Sequence, residues 1–148
     1  MAAAVGGRFV VDARVDPRTM REIYLPAFEA SVKEAKVGTI MCAYNRLNGS
    51  PACENRELLE QILRRDWGFD GFVVADYGFA TKSTAASVNN GLELDMPQGF
   101  FYSQQNLATA VATGQVSPAT IDLRVGNILR TLFRSGRLTG RPTRRTTA

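Results

Sequence analysis

The sequence predicts an α/β chain in which about three parallel strands, with helices between them, form part of a (β/α) barrel. Three observations lead there. The run Gly71-Phe-Val-Val-Ala-Asp-Tyr-Gly78 is apolar without polar alternation, as in a strand buried on both faces of a parallel sheet, and it ends on the carboxylate of Asp76. The order strand, loop, helix, strand between Val37 and Asp76 is a βαβ unit, which is right-handed and parallel. No glycine pattern able to cradle a phosphate follows any predicted strand, which favours a barrel segment over a nucleotide-binding sheet. A complete barrel takes roughly 250 residues, and this chain has 148, enough for one domain with a real core.

Each element has a local signature. Asp16-Pro17 opens a helix, the acid as N-cap and the proline in the first turn. Met20, Ile23 and Tyr24 mark its apolar face; Pro26 breaks it, and Phe28 and Val32 continue the stripe toward Gly38. Val37–Tyr44 is the first strand, and Asn45–Pro51 reads as a loop of turn-forming residues. Asn55 caps a helix whose Leu58, Leu59, Ile62 and Leu63 share one face, closed by Trp67-Gly68-Phe69. Gly71–Asp76 is the second strand. Gly91 ends a modest helix, and Leu92–Met96 is a short third strand. A helix over 104–113 stops at Gly114, and Ser117-Pro118 caps a last one predicted to turn Ile121, Val125, Ile128, Leu129, Leu132 and Phe133 inward.

Composition narrows the chemistry. The chain has no histidine, which excludes Ser-His and Cys-His dyads, His-ligated zinc and an imidazole base, so carboxylates lead as acid and base. In barrel logic functional groups gather where strands end, here Tyr44 and Asn45, Asp76 and Tyr77, and Glu93 and Asp95. Asp76 reads either as a cleft carboxylate or as the cap of the following helix, and spacing leaves both open. Three strand-end acids also suit a hard cation such as Mg²⁺. Cys42 and Cys53 read either as a disulfide, if the intervening loop folds back in an oxidising compartment, or as two separate thiols.

The net charge of +4 gathers late, since seven arginines follow Asp122 with no further acid. The tail over 141–148 lacks interleaved aromatics and reads as a solvated disordered end, so no nucleic-acid partner is expected. The opening seven residues are too short and uncharged for a signal peptide, and no apolar run spans a bilayer, so neither export information nor a membrane partner is expected of this chain.

Longer runs resemble a known family. Val11–Phe28, then Ile40-Met-Cys-Ala-Tyr-Asn45 with Asn48-Gly49, then Trp67–Tyr77, Gly91–Pro97 and Leu132–Gly136 are similar to glycoside hydrolase family 3, of the β-glucosidase type. The resemblance covers nearly all of Arg8 to Gly140. It implies the C-terminal part of a TIM-type (β/α) barrel domain over 8–140, after a short extension (1–7) and before a basic tail (141–148). Ala75-Asp76-Tyr77 stands where the family has Ser-Asp-Trp, which implies Asp76 as nucleophile. The resemblance also implies Met41, Tyr44 and Tyr77 as sugar-lining residues, a β-glucoside or oligosaccharide as substrate, and no cofactor or metal. Glu93 and Asp95, in reverse order to the family's usual pair, are expected to anchor structure.

The family's Lys-His sugar-binding motif lies upstream of Arg8, and its general acid usually comes from a second domain after the barrel. The expectation is therefore a partial copy of a hydrolase of O-glycosyl bonds that acts through a glycosyl-enzyme intermediate. The alternative is a non-catalytic sugar-binding or assembly remnant. Three strands would leave two open sheet edges and an apolar face at Ile40, Val73 and Val74, so association between copies is expected.

Overall fold

The computed structural model describes residues 3–138; the basic tail expected over 141–148 lies outside them. Helices and strands alternate as the sequence predicts. Strand β1 (Asp12–Ala13) follows helix α1 (Ala3–Val10), and α2 (Pro17–Thr19) starts on Asp16, whose Oδ1 accepts the main-chain N–H groups of Arg18 at 3.1 Å and Thr19 at 3.0 Å. The chain widens into a π turn (Met20–Tyr24) and restarts as α3 (Pro26–Lys33), with Pro26 in the first turn, where its missing N–H costs nothing.

Strand β2 (Thr39–Cys42) leads to a hairpin of β3 (Arg46–Leu47) and β4 (Ser50–Pro51). A short 3-10 turn (Ala52–Glu54) and a π-helical segment (Glu57–Asp66) come next, then β5 (Phe72–Ala75), α4 (Ala85–Asn90), α5 (Gln104–Ala112) and α6 (Pro118–Arg134). Asn55 and Ser117 cap their helices as expected, and Ser103 caps α5 without having been singled out in the sequence: Asn55 Oδ1 accepts from Leu58 N at 3.0 Å, and the Ser103 and Ser117 hydroxyls accept from Asn106 N and Thr120 N.

Strands β2 and β5 are parallel and pair Thr39 with Phe72 through Cys42 with Ala75. The third strand shrinks to a single parallel bridge, Val74 to Leu94, although Ala75 N still donates to Leu94 O at 2.8 Å and Leu94 N to Val73 O at 3.1 Å. Among the described residues the sheet is not closed into a barrel. The segment 45–51, read from sequence as a loop, is instead the hairpin of a second small sheet, in which β3 pairs parallel with β1 and antiparallel with β4. Asn48 (φ +52°) and Gly49 (φ +91°) form its turn in the left-handed region.

Val32, Leu59, Leu63, Phe69, Val73 and Leu92 form the main core between sheet and helices. Of the residues expected on the uncovered face, only Val74 is there. Val73 has no exposure, because Ile40 and Val73 face the helices, whereas the open face carries Met41, Val74 and Leu94 in one row across the three strands.

Helix α6 also turns differently from its apolar pattern. It buries Arg124 and Asn127 and leaves Val125, Leu129 and Phe133 exposed. The reason lies across the core. The Arg124 guanidinium donates to Glu60 at 2.6 Å and Glu93 at 3.3 Å, and Asn127 Nδ2 donates to Glu93 at 3.0 Å. A buried carboxylate without such partners costs more than several half-exposed aliphatic side chains. No helix among the described residues is long and apolar enough to cross a membrane.

Candidate active site

Asp76 follows β5 directly. Phe72, Val74 and Asp76 alternate with the buried Val73 and Ala75, so the carboxylate lies on the open face of the sheet, at the C-terminal end of the strand. Its main-chain N–H donates to Cys42 O at 3.1 Å, which ties it to the end of β2, and its Oδ1 accepts the Tyr77 N–H at 2.7 Å. Asp76 is thus partly exposed and fixed from two sides.

Tyr44, just past the end of β2, reaches across to this point, where its hydroxyl donates to Tyr77 O at 2.9 Å. Its phenol is raised above the ordinary tyrosine range, first by loss of water contact, then by hydrogen bonding with the Asp76 carboxylate and by that group's charge; the nearby Arg8 pulls the other way. Tyr44 therefore stays neutral, as a hydrogen-bond donor beside a carboxylate. Tyr77 is 59% exposed and offers an uncovered aromatic face. Met41, 57% exposed, sits on the same open face in register with Val74, two residues before Asp76. All four residues singled out in the sequence thus lie along one face and one end of the sheet.

Two neighbours escaped the sequence reading. Helix α1 lays Phe9 edge-on against Tyr44, ring centroids 4.8 Å apart, and against Phe79 at 5.7 Å. The Arg8 guanidinium lies 5.0 Å from the Phe9 ring and 5.6 Å from that of Tyr44. Nothing local in the first ten residues signals this, because the contact spans more than thirty positions.

The other strand-end acids are taken up elsewhere. Glu93, its side chain fully buried, accepts from Arg64 at 2.6 Å and from the Val73 N–H at 2.7 Å, besides Arg124 and Asn127. Asp95 accepts from the Thr81 hydroxyl at 2.7 Å and the Phe101 N–H at 2.9 Å, joining the loops after β5 and after the third strand. Among the described residues no group of three acids, cysteines or histidines could hold a metal ion, so Asp76, Glu93 and Asp95 do not form the cation site that their spacing allowed. Cys42 and Cys53 are joined as a disulfide. A separate apolar cavity of about 350 Å³, lined by Met20, Tyr24, Leu25, Phe28, Met41 and Leu58, opens beside the outer edge of β2.

Residues 3–131 match the family described as glycosyl hydrolase family 3 N terminal domain. Among curated proteins, the chain is 49% identical over 115 residues to an exo-alpha-(1→6)-L-arabinopyranosidase of Bifidobacterium longum, covering 78% of this chain and 15% of that protein. It is 41% identical over 126 residues to thermostable beta-glucosidase B of Acetivibrio thermocellus, covering 85% and 17%. Among solved structures, a GH3 beta-glucosidase of Bifidobacterium adolescentis superposes with a TM-score of 0.83 at 37% identity, over 90% of this chain and 19% of that one. DesR, a beta-glucosidase from Streptomyces venezuelae in complex with D-glucose, superposes at 0.82 with 40% identity, over 93% and 19%. The chain spans about a sixth of the length of these curated relatives.

Proposed function

We propose that this chain, which belongs to glycosyl hydrolase family 3, carries the nucleophile half of a retaining O-glycosidase site of β-glucosidase type, with Asp76 as nucleophile. The observation that supports this most is a carboxylate at the C-terminal end of β5, on the open sheet face, held at its main chain by Cys42 and flanked by the neutral phenol of Tyr44. In the proposed step an Asp76 carboxylate oxygen attacks the anomeric carbon as the bond to the leaving oxygen breaks, and water later cleaves the glycosyl ester. Tyr44 fixes the Tyr77 main chain, whose N–H in turn orients the attacking carboxylate, and Tyr77 and Met41 offer apolar surface to the sugar ring. The relatives' names cover both a glucosidase and an arabinopyranosidase, so the proposal extends to a pyranoside as substrate and leaves the sugar open.

A retaining glycosidase places a second carboxyl about 5 Å from the first to protonate the leaving oxygen. Glu93 and Asp95 are engaged in other contacts and do not fill that role, so the general acid is proposed to come from outside the described residues. The same reading divides the chain into a short extension (1–7), the partial barrel domain (8–140) and a basic tail (141–148). It also has copies of the isolated chain associate through the outer edge of β2.

An activated 2-deoxy-2-fluoroglycoside tests the nucleophile directly, because a dinitrophenolate leaves without protonation and so needs no general acid. Mass spectrometry is expected to find the sugar on Asp76 and none on Asp76→Asn. A label on Glu93 or Asp95, or a labelled Asp76→Asn, would overturn the assignment. A chain that binds sugar but never labels would favour the non-catalytic reading.

A further inference from the structure

The segment that carries Tyr44 is closed on itself covalently. Cys42, the last residue of β2, is bonded to Cys53 in the Ala52–Glu54 turn, across eleven positions and with Cα atoms 5.2 Å apart. The enclosed loop contains Tyr44 and the whole β3–β4 hairpin. Both ends of the bridge also hold the site. On the Cys42 side, the main-chain oxygen accepts the Asp76 N–H at 3.1 Å. On the Cys53 side, Glu54 accepts the Lys82 N–H at 3.1 Å through its carboxylate and the Asn90 side-chain amide at 2.9 Å through its main-chain oxygen, so the turn grips the chain that follows Tyr77. The bridge is shielded, with Cys42 4% and Cys53 0% exposed, so a dithiol reaches it only when the loop opens locally.

We propose that the Cys42–Cys53 bridge is a redox-sensitive brace of this site: closed, it positions Tyr44 against the Tyr77 main chain beside Asp76, and opened by a dithiol it loosens the 43–52 loop while the rest of the fold stays intact. The proposal rests on Asp76 and Tyr44 forming the site described above. A covalent closure removes alternative conformations of the loop it spans, and without it the loop is held by short β1–β3–β4 pairing, by the bonds of Asn48 to Val15 and of Gly49 to Asp12, and, at Tyr44, by the Phe9 ring and its own hydrogen bond. The exchange is balanced. A thiolate of the dithiol attacks one protein sulfur and expels the other, and the second thiol then attacks the mixed disulfide. One S–S bond breaks in the protein and one forms in the reductant, and Cys42 and Cys53 each gain one electron and one proton.

The test reads thiols and amide exchange, so it does not depend on glycosidase activity and stands apart from any failure of the fluorosugar experiment. Iodoacetamide is expected to modify neither cysteine of the chain refolded under oxidising conditions, and both after dithiothreitol in native buffer, with the far-ultraviolet circular dichroism unchanged. Amide hydrogen exchange in peptides covering 43–52 and 76–82 is expected to quicken roughly tenfold or more on reduction, while α6 keeps its protection. The double variant Cys42→Ala/Cys53→Ala should reproduce that local pattern without any reductant. Free thiols in the oxidised preparation, a bridge that survives dithiothreitol in the folded chain, unchanged exchange, or acceleration spread evenly through the molecule would each overturn the proposal.

Discussion

Glu93 takes hydrogen bonds from two arginines, an asparagine and the Val73 amide, with no exposure of its side chain. Removing one member of such a network strands the others, so Glu93→Ala is expected to lower stability by about 3–5 kcal/mol in urea unfolding, whereas exposed carboxylates lose far less. Tyr44 titrates above the ordinary tyrosine value partly because of Asp76. Its folded-state value is raised, so the stability it contributes is complete below the unfolded value of 10.0 and is lost as pH rises through the folded one. The variant Asp76→Asn should therefore move the Tyr44 phenol back down, read as an absorbance titration with Tyr44→Phe subtracted. The sign is opposite at Asp70, which the Arg134 side chain holds below the usual carboxylate range at 2.6 Å. That small, solvent-screened contribution is present above the unfolded value of 3.8 and fades as pH falls through the lower folded one.

Helix α6 shows what an element takes from its surroundings. Its apolar residues match a helical stripe, yet Val125 and Leu129 are 46% and 43% exposed while Arg124 is 5% exposed. Leu129→Lys is therefore expected to change stability by no more than about 1 kcal/mol, the residue being half in water already. A larger loss in urea unfolding would return α6 to the orientation that its sequence suggests. Where β2 and β5 begin, a different constraint operates. A Cβ on Gly71 would stand 2.1 Å from the Gly38 main-chain oxygen, and that neighbour is backbone, which cannot swing aside. Gly71→Ala should part the two strands at their start and cost about 1–3 kcal/mol, measured as a lowered denaturant midpoint.

At the scale of the whole molecule the sheet is open. Strand β2 pairs only with β5 among the described residues, and beside its outer edge lie the exposed side chains of Tyr24, Phe28 and Met41 and the apolar cavity they help to line. An unpaired parallel edge next to apolar surface favours association. Light scattering on the isolated chain is expected to give a mass that rises with concentration, and Met41→Lys should reduce that rise. A compact monomer at every concentration would show that the open face tolerates water.

The sequence by itself determined the alternation of helix and strand, the parallel β2–β5 pair, the helix starts at Asp16, Asn55 and Ser117, and the place of Asp76 at a strand end. Each of these depends on residues within a few positions of one another: a side chain accepting from the next turn, a proline without an N–H, or a run of β-branched residues meeting a carboxylate. Only the tertiary structure decided the orientation of α6, the β1–β3–β4 sheet, the closing of Cys42 on Cys53, and the approach of Arg8 and Phe9 to Tyr44. Those outcomes turn on partners tens of residues apart or on a thiol pair that spacing left open, and local propensity is blind to them. The buried charge of Glu93 outweighs the aliphatic stripe of α6 because leaving it unpaired would cost more than leaving Leu129 and Phe133 half in water.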